Sequence, residues 1–487
     1  MKKVFRFIII AFLALIVILV AKTIMLDSKQ LSAEKGTEIT VMDGFESRLS
    51  GAVQIPTITW EDTQKTDTAQ FTVFHNYLKE VFPLIHDKLP LQKFNHHALL
   101  YTWEGKNLQL KPVILLAHQD VVPADSVKWE KSPFSGLNDG TYIWGRGTLD
   151  DKGSLMSIME AVEHLLAENY QPERTIMMAF GNDEEVGEKG AQAIATYLES
   201  QNIEAEFIID EGMVITKGLV PMMDKPVALI GTSEKGYLTL ELSCQVDGGH
   251  SSTPRSETAI SILSSAISKI TQNRPDPKIS EPVSDFLEYL GPETSWPVRI
   301  VFANQWLFKP IILNIYTGSY AGNALVRTTT APTKFNAGFK DNVMPVQASA
   351  TINHRLLPGE DTGKLVHFLN EVVSDERVKI TKAKNFRNAA TVSPVDCPAF
   401  EIIHKTIKSQ YENTLVMPTL MLGASDSRHY TGVSKNIYRF APYVVTNEDL
   451  DRIHGLNERI EIKDYKKMIG FYYQLIMSSA SEAELKK

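Results

Sequence analysis

The chain has 487 residues, is 43% hydrophobic and carries a net charge of −8 at pH 7, so it is long enough for two or three domains with sizeable cores. Basic and acidic residues are interspersed, which argues against nucleic acid as a partner. Only two cysteines are present, Cys244 and Cys397, so no disulfide framework holds the fold.

The N-terminus combines positive charge with an apolar run. Lys2, Lys3 and Arg6 precede residues 7–21, and Lys22 closes the run. This length fits a signal sequence or a short membrane anchor. Because no small-x-small cleavage site follows, we expect residues 1–26 to be an uncleaved anchor that leaves the rest of the chain outside the cytoplasm. Secretion after cleavage is the alternative, and residues 27–45 are expected to be a polar tether.

The next segments predict an α/β domain. Apolar residues at helical spacing between residues 70 and 89, including Phe74, Leu78 and Phe82, predict one amphipathic helix that packs on a sheet. Strand and helix patterns then alternate to about residue 230, which is typical of a helix-covered, largely parallel sheet.

Histidine and carboxylate side chains follow several of these strands. The apolar run 112–117 leads into His118 and Asp120, and residues two apart in an extended chain point to the same side. A carboxylate beside a histidine can orient it as a metal ligand, although an ordinary hydrogen-bonded pair has the same pattern. Asp150 and Asp151 precede a helix, where an N-cap pair is the alternative.

Three further clusters are Asp183–Glu185, Asp210 with Glu211, and His454. Each alone fits a solvated loop or an isolated histidine. Ligands of open α/β sheets gather at the carboxyl ends of the strands, and mixed histidine and carboxylate donors suit zinc or a similar divalent cation. Because the carboxylates are numerous, we expect two cations, with one aspartate shared between them.

The pattern changes after residue 235. An alternating strand at 238–246, a helix near 255–271, an irregular stretch near 275–335, a strand at 346–352, a helix at 365–372 and a strand at 377–383 predict a small α+β insert. We therefore expect a catalytic domain in two parts, 46–235 and 386–487, interrupted by an insert at 236–385.

Six motifs in this order resemble metallopeptidase family 20, over roughly residues 50 to 480: His-Gln-Asp-Val-Val-Pro, Gly-Arg-Gly-Thr-Leu-Asp-Asp-Lys-Gly, Asp-Glu-Glu-Val-Gly, Asp-Glu-Gly, Gly-His-Ser-Ser-Thr-Pro and Ile-His-Gly. That family includes aminoacylases, glutamate carboxypeptidases and carnosine dipeptidases. The segments Ser233–Gly236 and Asn304–Phe308 are similar to the subgroup of carboxypeptidase S and the N-fatty-acyl-amino-acid hydrolases.

The resemblance implies a role for each motif. His118 would bind one zinc ion, with Glu211 or the adjacent Asp210 completing that site. Asp150 would bridge both ions, and Glu185 and His454 would bind the second. The remaining assignments are general base for Glu184, orientation of His118 for Asp120, and a cis peptide bond for Asp150–Asp151.

The resemblance also implies a ferredoxin-like lid that swings at hinges near 233–237 and 384–388, the second including Asn385. His250 of the lid would stabilise the oxyanion, in some relatives from a partner subunit, and a turn histidine is the alternative. Asn342 is a weaker candidate for a substrate contact. Arg428 would hold the substrate carboxylate through its two-pronged guanidinium, with a salt bridge to Asp426 as the alternative.

The predicted function is therefore zinc-dependent hydrolysis of the amide bond to a C-terminal amino acid, in peptides or N-acyl amino acids, by a metal-activated water. The alternative is a non-catalytic, membrane-tethered binding protein on the same scaffold. Expected partners are the substrate and a membrane, and a homodimer through the lid is left open.

Overall fold

The computed structural model describes residues 1–33, 40–383 and 386–480. These residues form two compact units. The larger unit comprises 28–232, 393–419 and the chain from 424 onward, and the smaller unit comprises 1–27, 233–392 and 420–423. The units change at 232/233 and 392/393, near the predicted insert boundaries. Residues 34–39 of the predicted tether and Lys384 and Asn385 of the predicted second hinge lie outside the described residues.

The α-helices of the described residues are, in chain order, α1 Lys2–Ile24, α2 Phe45–Val53, α3 Ala69–Val81, α4 Pro83–Lys88, α5 Lys152–Ala167, α6 Lys189–Ser200, α7 Ala259–Gln272, α8 Glu281–Leu290, α9 Trp296–Ala303, α10 Gln305–Thr317, α11 Tyr320–Val326, α12 Thr362–Val373, α13 Pro398–Gln410 and α14 Ile462–Ser479. Short 3₁₀ helices cover Thr63–Lys65, Ser126–Lys128, Gly291–Glu293 and Asp426–Gly432.

The strands of the same residues are β1 Leu91–Phe94, β2 Ala98–Trp103, β3 Val113–His118, β4 Leu137–Asn138, β5 Tyr142–Trp144, β6 Ile176–Gly181, β7 Phe207–Asp210, β8 Ile215–Thr216, β9 Val227–Glu234, β10 Gly236–Gln245, β11 Gly249–His250, β12 Thr329–Ala337, β13 Val343–Met344, β14 Gln347–Leu356, β15 Val378–Lys382, β16 Leu415–Met421, β17 Ile437–Arg439, β18 Val444–Val445 and β19 Arg459–Glu461.

The main sheet of the larger unit has the order β1-β2-β6-β3-β7-β17-β9-β8-β18, with β16 added on β9. Its centre is parallel, because β3 pairs in parallel with both β6 and β7, and β7 pairs in parallel with β17. Every residue of β3 and of β6 is buried, as expected for strands covered on both faces. The predicted α/β class with a largely parallel central sheet is confirmed.

One long helix was expected between residues 70 and 89, and the structure instead has two, α3 and α4. The break lies at Phe82, whose φ of −126° and ψ of 66° lie outside the helical region, and Pro83 follows at the first position of α4. Proline disfavours the helical conformation of the residue before it and has no N–H to donate. The apolar spacing continues through the break, which is why the sequence pattern did not reveal it.

The smaller unit is built on an antiparallel sheet of order β12-β14-β10-β15. The chain runs β10-α7, then β12-β14 and α12-β15, a β-α-β-β-α-β connectivity of the ferredoxin-like type. Alternate residues of β10, including Leu238, Leu240 and Leu242, pack with Ile352 of β14 in an apolar core under α7 and α12.

The expectation of an irregular stretch near 275–335 was wrong. Helices α8, α9, α10 and α11 occupy most of it, and β12 begins at Thr329. Two of the prolines that suggested irregular chain lie in first helical turns, Pro282 in α8 and Pro297 in α9, and Pro310 lies within α10. A proline in the first turn removes an N–H that has no partner within the helix in any case.

Helix α1 is long and apolar enough to cross a membrane, with a mean hydropathy of 3.1 over its most apolar window. A signal sequence has the same properties. Its helical state agrees with either prediction made for residues 1–26.

Candidate metal centre

His118 ends the buried strand β3 and turns its ring into a polar pocket of the larger unit. Its Nε2 lies 2.8 Å from Oδ1 of Asp150, and its Nδ1 lies 3.0 Å from the backbone oxygen of Asp120. The backbone N–H of His118 donates to Oδ2 of Asp151, at 3.2 Å. The backbone of Asp120 therefore holds the ring at Nδ1, while Nε2 faces the Asp150 carboxylate.

Asp120 joins His118 to the loop that carries two of the predicted functional glutamates. Its fully buried carboxylate accepts hydrogen bonds from the backbone N–H groups of Glu184 and Glu185, at 3.1 and 3.2 Å, and from the Thr59 hydroxyl, at 2.7 Å. One of its oxygens also lies 3.3 Å from Nδ1 of His118. Asp120 thus sets the relative positions of the two segments.

Asp150 and Glu185 meet His454, which comes from the far end of the chain. Nε2 of His454 lies 3.0 Å from Asp150 Oδ2 and 3.1 Å from Glu185 Oε2. Ligand atoms of His118, Asp150 and Glu185 all lie within 4.8 Å of one another. The peptide bond between Asp150 and Asp151 is cis, as the family resemblance implied. Residues from four separate segments therefore converge on Asp150.

Asp210 and Glu211 differ in their surroundings. The Asp210 carboxylate accepts hydrogen bonds from the backbone N–H groups of Glu211, at 2.9 Å, and Ser427, at 2.8 Å. Burial, followed by repulsion from Asp150 and other carboxylates, raises the pKa of Glu211 well above its ordinary value. Asp210 is satisfied by donors of the protein, whereas Glu211 lies in a negative field that a cation would relieve.

Several groups of the pocket carry pKa values far from their usual range. Burial, with the carboxylates of Asp426, Glu185 and Asp150, raises the pKa of Glu184 well above normal. Hydrogen bonds to Asp150 and Glu185 raise the pKa of His454 to about 10. A group of buried carboxylates repels itself unless positive charge is close. Imidazole and carboxylate donors at this spacing fit a divalent cation such as zinc.

Comparison with known proteins identifies the chain. Residues 114–478 match the model of Peptidase family M20/M25/M40. The chain belongs to this family. A probable carboxypeptidase S-like 2 of Dictyostelium discoideum is 42% identical over 480 residues, which cover 96% of this chain and 92% of that protein. The N-fatty-acyl-amino acid synthase/hydrolase PM20D1 of Xenopus tropicalis is 40% identical over 439 residues, which cover 89% of this chain and 85% of that protein.

Solved structures show the same fold. The M20 family metallo-carboxypeptidase Sso-CP2 of Sulfolobus solfataricus superposes with a TM-score of 0.65 at 21% identity, covering 89% of this chain and 99% of that one. The YXEP protein of Bacillus subtilis, described as a dinuclear metal binding peptidase of the M20 family, gives a TM-score of 0.57 at 12% identity, covering 90% and 99%. This chain is thus a hydrolase of the M20 family with a group of residues suited to metal binding.

Glu458 is a residue of this M20 centre whose role the sequence analysis missed. Its buried carboxylate accepts hydrogen bonds from the backbone N–H groups of Gly147, Leu149 and Asp150, at 3.0, 2.8 and 3.3 Å, and from Arg146, at 2.6 Å. It therefore clamps the loop that presents Asp150. The sequence feature that could have pointed to Glu458 was its position four residues after His454.

Arg428 does not form the salt bridge to Asp426 that was its structural alternative. Its Nε lies 3.0 Å from Oε2 of Glu188 and donates to the backbone oxygen of Ser425, at 2.9 Å. His429 also contacts Glu188, at 2.7 Å. Arg428 is held in a defined position in the larger unit, and its contact with substrate stays a prediction.

The remaining two predicted residues lie in the smaller unit. His250 is exposed in β11, and its Nδ1 lies 2.7 Å from the Ser252 hydroxyl. Asn342 precedes β13, whose Val343 pairs with His250, and its backbone oxygen accepts a hydrogen bond from Ser251. The structure thus places Asn342 next to the two-stranded ribbon that carries His250, and the contacts of both residues with substrate stay predictions.

Proposed function

We propose that this M20 hydrolase is a dizinc amidohydrolase that releases a C-terminal amino acid from a peptide or an N-acyl amino acid. The observation that carries the proposal is the convergence of His118, Asp150, Glu185 and His454 on one pocket, with Glu184 beside them. A non-catalytic binding protein is not favoured, because binding alone gives no reason to retain a buried general base.

The donor set suggests two cation positions. His118 and Glu211 would hold one cation, Glu185 and His454 the other, and the two oxygens of Asp150 would be shared, since Oδ1 faces His118 and Oδ2 faces His454. When bound, two such cations act as Lewis acids toward an amide carbonyl and lower the pKa of water.

Side chains of the protein would transfer the protons and stabilise the negative charges of the reaction. Glu184 takes a proton from the attacking water and returns it to the leaving amine. Burial raises the pKa of the Glu184 carboxyl above its ordinary value, which makes the group a better proton acceptor in this exchange. Asp120 positions His118 and the Glu184 loop. The proposed roles of His250 and Arg428 are to stabilise the oxyanion and to bind the substrate carboxylate.

The two substrate classes correspond to the two kinds of relative. Carboxypeptidase S-like proteins and N-fatty-acyl-amino acid hydrolases are similarly close to this chain, and both names imply a scissile amide next to an amino acid with a free carboxylate. We propose that α1 anchors the enzyme with its larger part outside the cytoplasm, or directs it to secretion if it is cleaved. A homodimer through the smaller unit belongs to the same proposal.

The proposed function is tested by metal analysis and a substrate panel. After reloading with zinc, elemental analysis should give two metals per chain, and the loaded enzyme should cleave dipeptides or N-acyl amino acids while sparing the corresponding amino-acid amides, which lack the carboxylate. Fewer than one metal per chain, or no cleavage of either class, would overturn the proposal. The panel also decides between the two substrate classes.

A further inference from the structure

One face of α1 packs against the smaller unit. Leu15, Leu19 and Thr23, spaced four residues apart, are the least exposed positions of that face and lie above one another on a helix. The buried Asn304 side chain donates to the backbone oxygen of Leu19, at 3.2 Å, and the Arg299 guanidinium donates to the backbone oxygen of Leu26. The apolar helix therefore has a defined docking site beside α9 and α10.

The other faces of α1 are covered by none of the described residues. Phe7, Phe12, Val17 and Ile24 are all more than half exposed. Such a surface is stable in hydrocarbon and costly in water. The proposed membrane insertion of α1 would therefore bring α9 and α10 close to the bilayer surface.

Helix α10 carries an apolar stripe of its own. Leu307, Ile311 and Ile315 follow one another at intervals of four residues and are 38%, 52% and 65% exposed, so they form one continuous ridge. Ile312, on another face of the same helix, is buried. The helix thus buries one apolar face in the unit and presents a second one outward.

Aromatic side chains accompany this stripe. Trp296 and Trp306 are about half exposed and Tyr320 is fully exposed. Nζ of Lys22, the residue that closes the apolar run of α1, lies 5.7 Å from the centre of the Trp306 ring. Tryptophan and tyrosine concentrate where hydrocarbon meets the headgroups. Lys22 and Trp306 thus mark the same level, the end of the hydrocarbon segment.

The chain segment that contains α9, α10 and α11 carries basic residues but no acidic ones. No acidic residue occurs between Glu293 and Asp341, whereas Arg299, Lys309 and Lys334 lie within that interval. Of these residues, the exposed Lys309 lies on α10 itself, and basic residues on a helix with exposed apolar side chains are typical of helices at a membrane interface. Lysine and arginine near such a surface are attracted to anionic headgroups.

We propose that α9, α10 and α11 form a membrane-binding surface that lies on the bilayer beside α1, with Leu307, Ile311 and Ile315 inserted at the level of the headgroups. The occupant is an anionic lipid bilayer. The inference rests on the proposed function only in taking α1 as a membrane segment. It adds a second contact, which would hold the smaller unit against the bilayer and not merely tether it.

The test uses the full chain in vesicles of phosphatidylethanolamine and phosphatidylglycerol. Cys397→Ser removes the partly exposed cysteine, and an environment-sensitive fluorophore is attached to a single new cysteine at one of three positions. Ile311→Cys reports on the stripe, Ile16→Cys on α1, and His367→Cys, on the exposed face of α12 in the same unit, is the matched control. Quenching by nitroxide lipids is then measured.

We expect quenching at Ile311 to exceed that at His367 by at least about twofold, as for a helix that lies in the interface, and to depend on depth, with shallow quenchers the most effective. The Ile16 probe should respond best to deep quenchers. Ile315→Cys, one helical turn further along, is a second reporter if the first variant does not fold.

Three results would overturn the inference. Water-like emission at Ile311 without quenching would show that the stripe faces solvent. Blue-shifted emission without lipid quenching would show that a second copy of the chain covers it. Quenching equal to that at His367 would show no preference for the bilayer. The Ile16 probe separates the two hypotheses, because its failure to meet lipid would remove the proposed anchor as well.

Discussion

In the larger unit, the charged side chains of Asp120 and Glu458 lie buried around the half-buried Asp150, whereas in the smaller unit apolar side chains of α1 and α10 stand exposed. Both arrangements are unfavourable for a protein alone in water. Buried carboxylates lose hydration and repel one another, and exposed apolar surface forfeits burial worth about 25 cal/mol per Å². Each arrangement would be stabilised by a different kind of neighbour.

This difference indicates that the larger and the smaller unit have different functions. A positive charge would stabilise the pocket of the larger unit, which agrees with divalent cations among His118, Asp150, Glu185 and His454. Hydrocarbon would stabilise the outward faces of the smaller unit, which agrees with a membrane.

The largest effect is expected from Glu184→Gln. The substitution removes the proposed general base while leaving the ligands in place, so turnover should fall by at least about a hundredfold, the usual scale of general acid–base catalysis. Metal content should stay near two per chain. Glu185→Gln is the matched control, because the neighbouring carboxylate is a proposed ligand and its loss should release metal. Nearly full activity in the first variant would require another base.

His250→Ala should lower kcat by about 10²–10³, because loss of one oxyanion donor commonly costs about 2.7–4 kcal/mol of barrier. Metal affinity should change little, since His250 belongs to the smaller unit. Mixing His250→Ala with Glu184→Gln chains then asks which chain provides the histidine. Partial recovery in dimers of proven composition would show that it acts in the partner's site. No recovery would place it in its own chain's site or outside the mechanism.

Glu458→Gln should weaken metal binding by about 10–100-fold, the range for residues that orient ligands. The amide keeps the shape of the side chain but cannot accept hydrogen bonds at both ends, so either the backbone N–H groups of the Asp150 loop or Arg146 lose an acceptor, and Arg146 loses its counterion. Metal titration of the folded variant measures the effect. Glu461→Gln is the control on the same segment, because that carboxylate pairs with the exposed Lys463 and its loss should leave metal affinity unchanged.

The smallest effect concerns the pH dependence of unfolding. In metal-stripped protein the pKa values of Glu184 and Glu211 are raised mainly by burial, and that of His454 is raised to about 10 by its carboxylate partners. These groups therefore bind more protons in the folded chain than in the unfolded chain above about pH 4.3, the ordinary value for glutamate. Because stability falls with pH wherever the folded state holds more protons, the contribution of the pocket to the stability of the stripped protein should decrease between about pH 5 and 8.

Reloading with zinc should flatten this decrease, because cations replace protons as the positive charges of the pocket. Thermal melts with and without zinc over this range provide the measurement. A difference in Tm between zinc-loaded and stripped protein that does not grow from pH 5 to 8 would contradict the assigned electrostatics of the pocket.

The sequence indicated the candidate centre because several proposed ligands lie at the carboxyl ends of strands that meet at one edge of a parallel sheet. His118 ends β3, the Asp183–Glu185 cluster follows β6, and Glu211 follows β7, which are adjacent strands. It failed where the pattern was ambiguous. The stretch of α8 to α11 was expected to be irregular because its prolines were interpreted as helix breakers, whereas Pro282 and Pro297 begin helices and Pro310 is accommodated within α10.

Local chemistry in the sequence by itself determined the family, the α/β class, the apolar N-terminal helix and the set of residues suited to metal binding. Only the tertiary structure decided that Glu458 clamps the loop of Asp150, a contact between residues 308 positions apart, and that Arg428 pairs with Glu188 and not with Asp426. Likewise, only the tertiary structure showed which apolar side chains of α10 are exposed. Such contacts join distant parts of the chain, so no spacing within one segment encodes them.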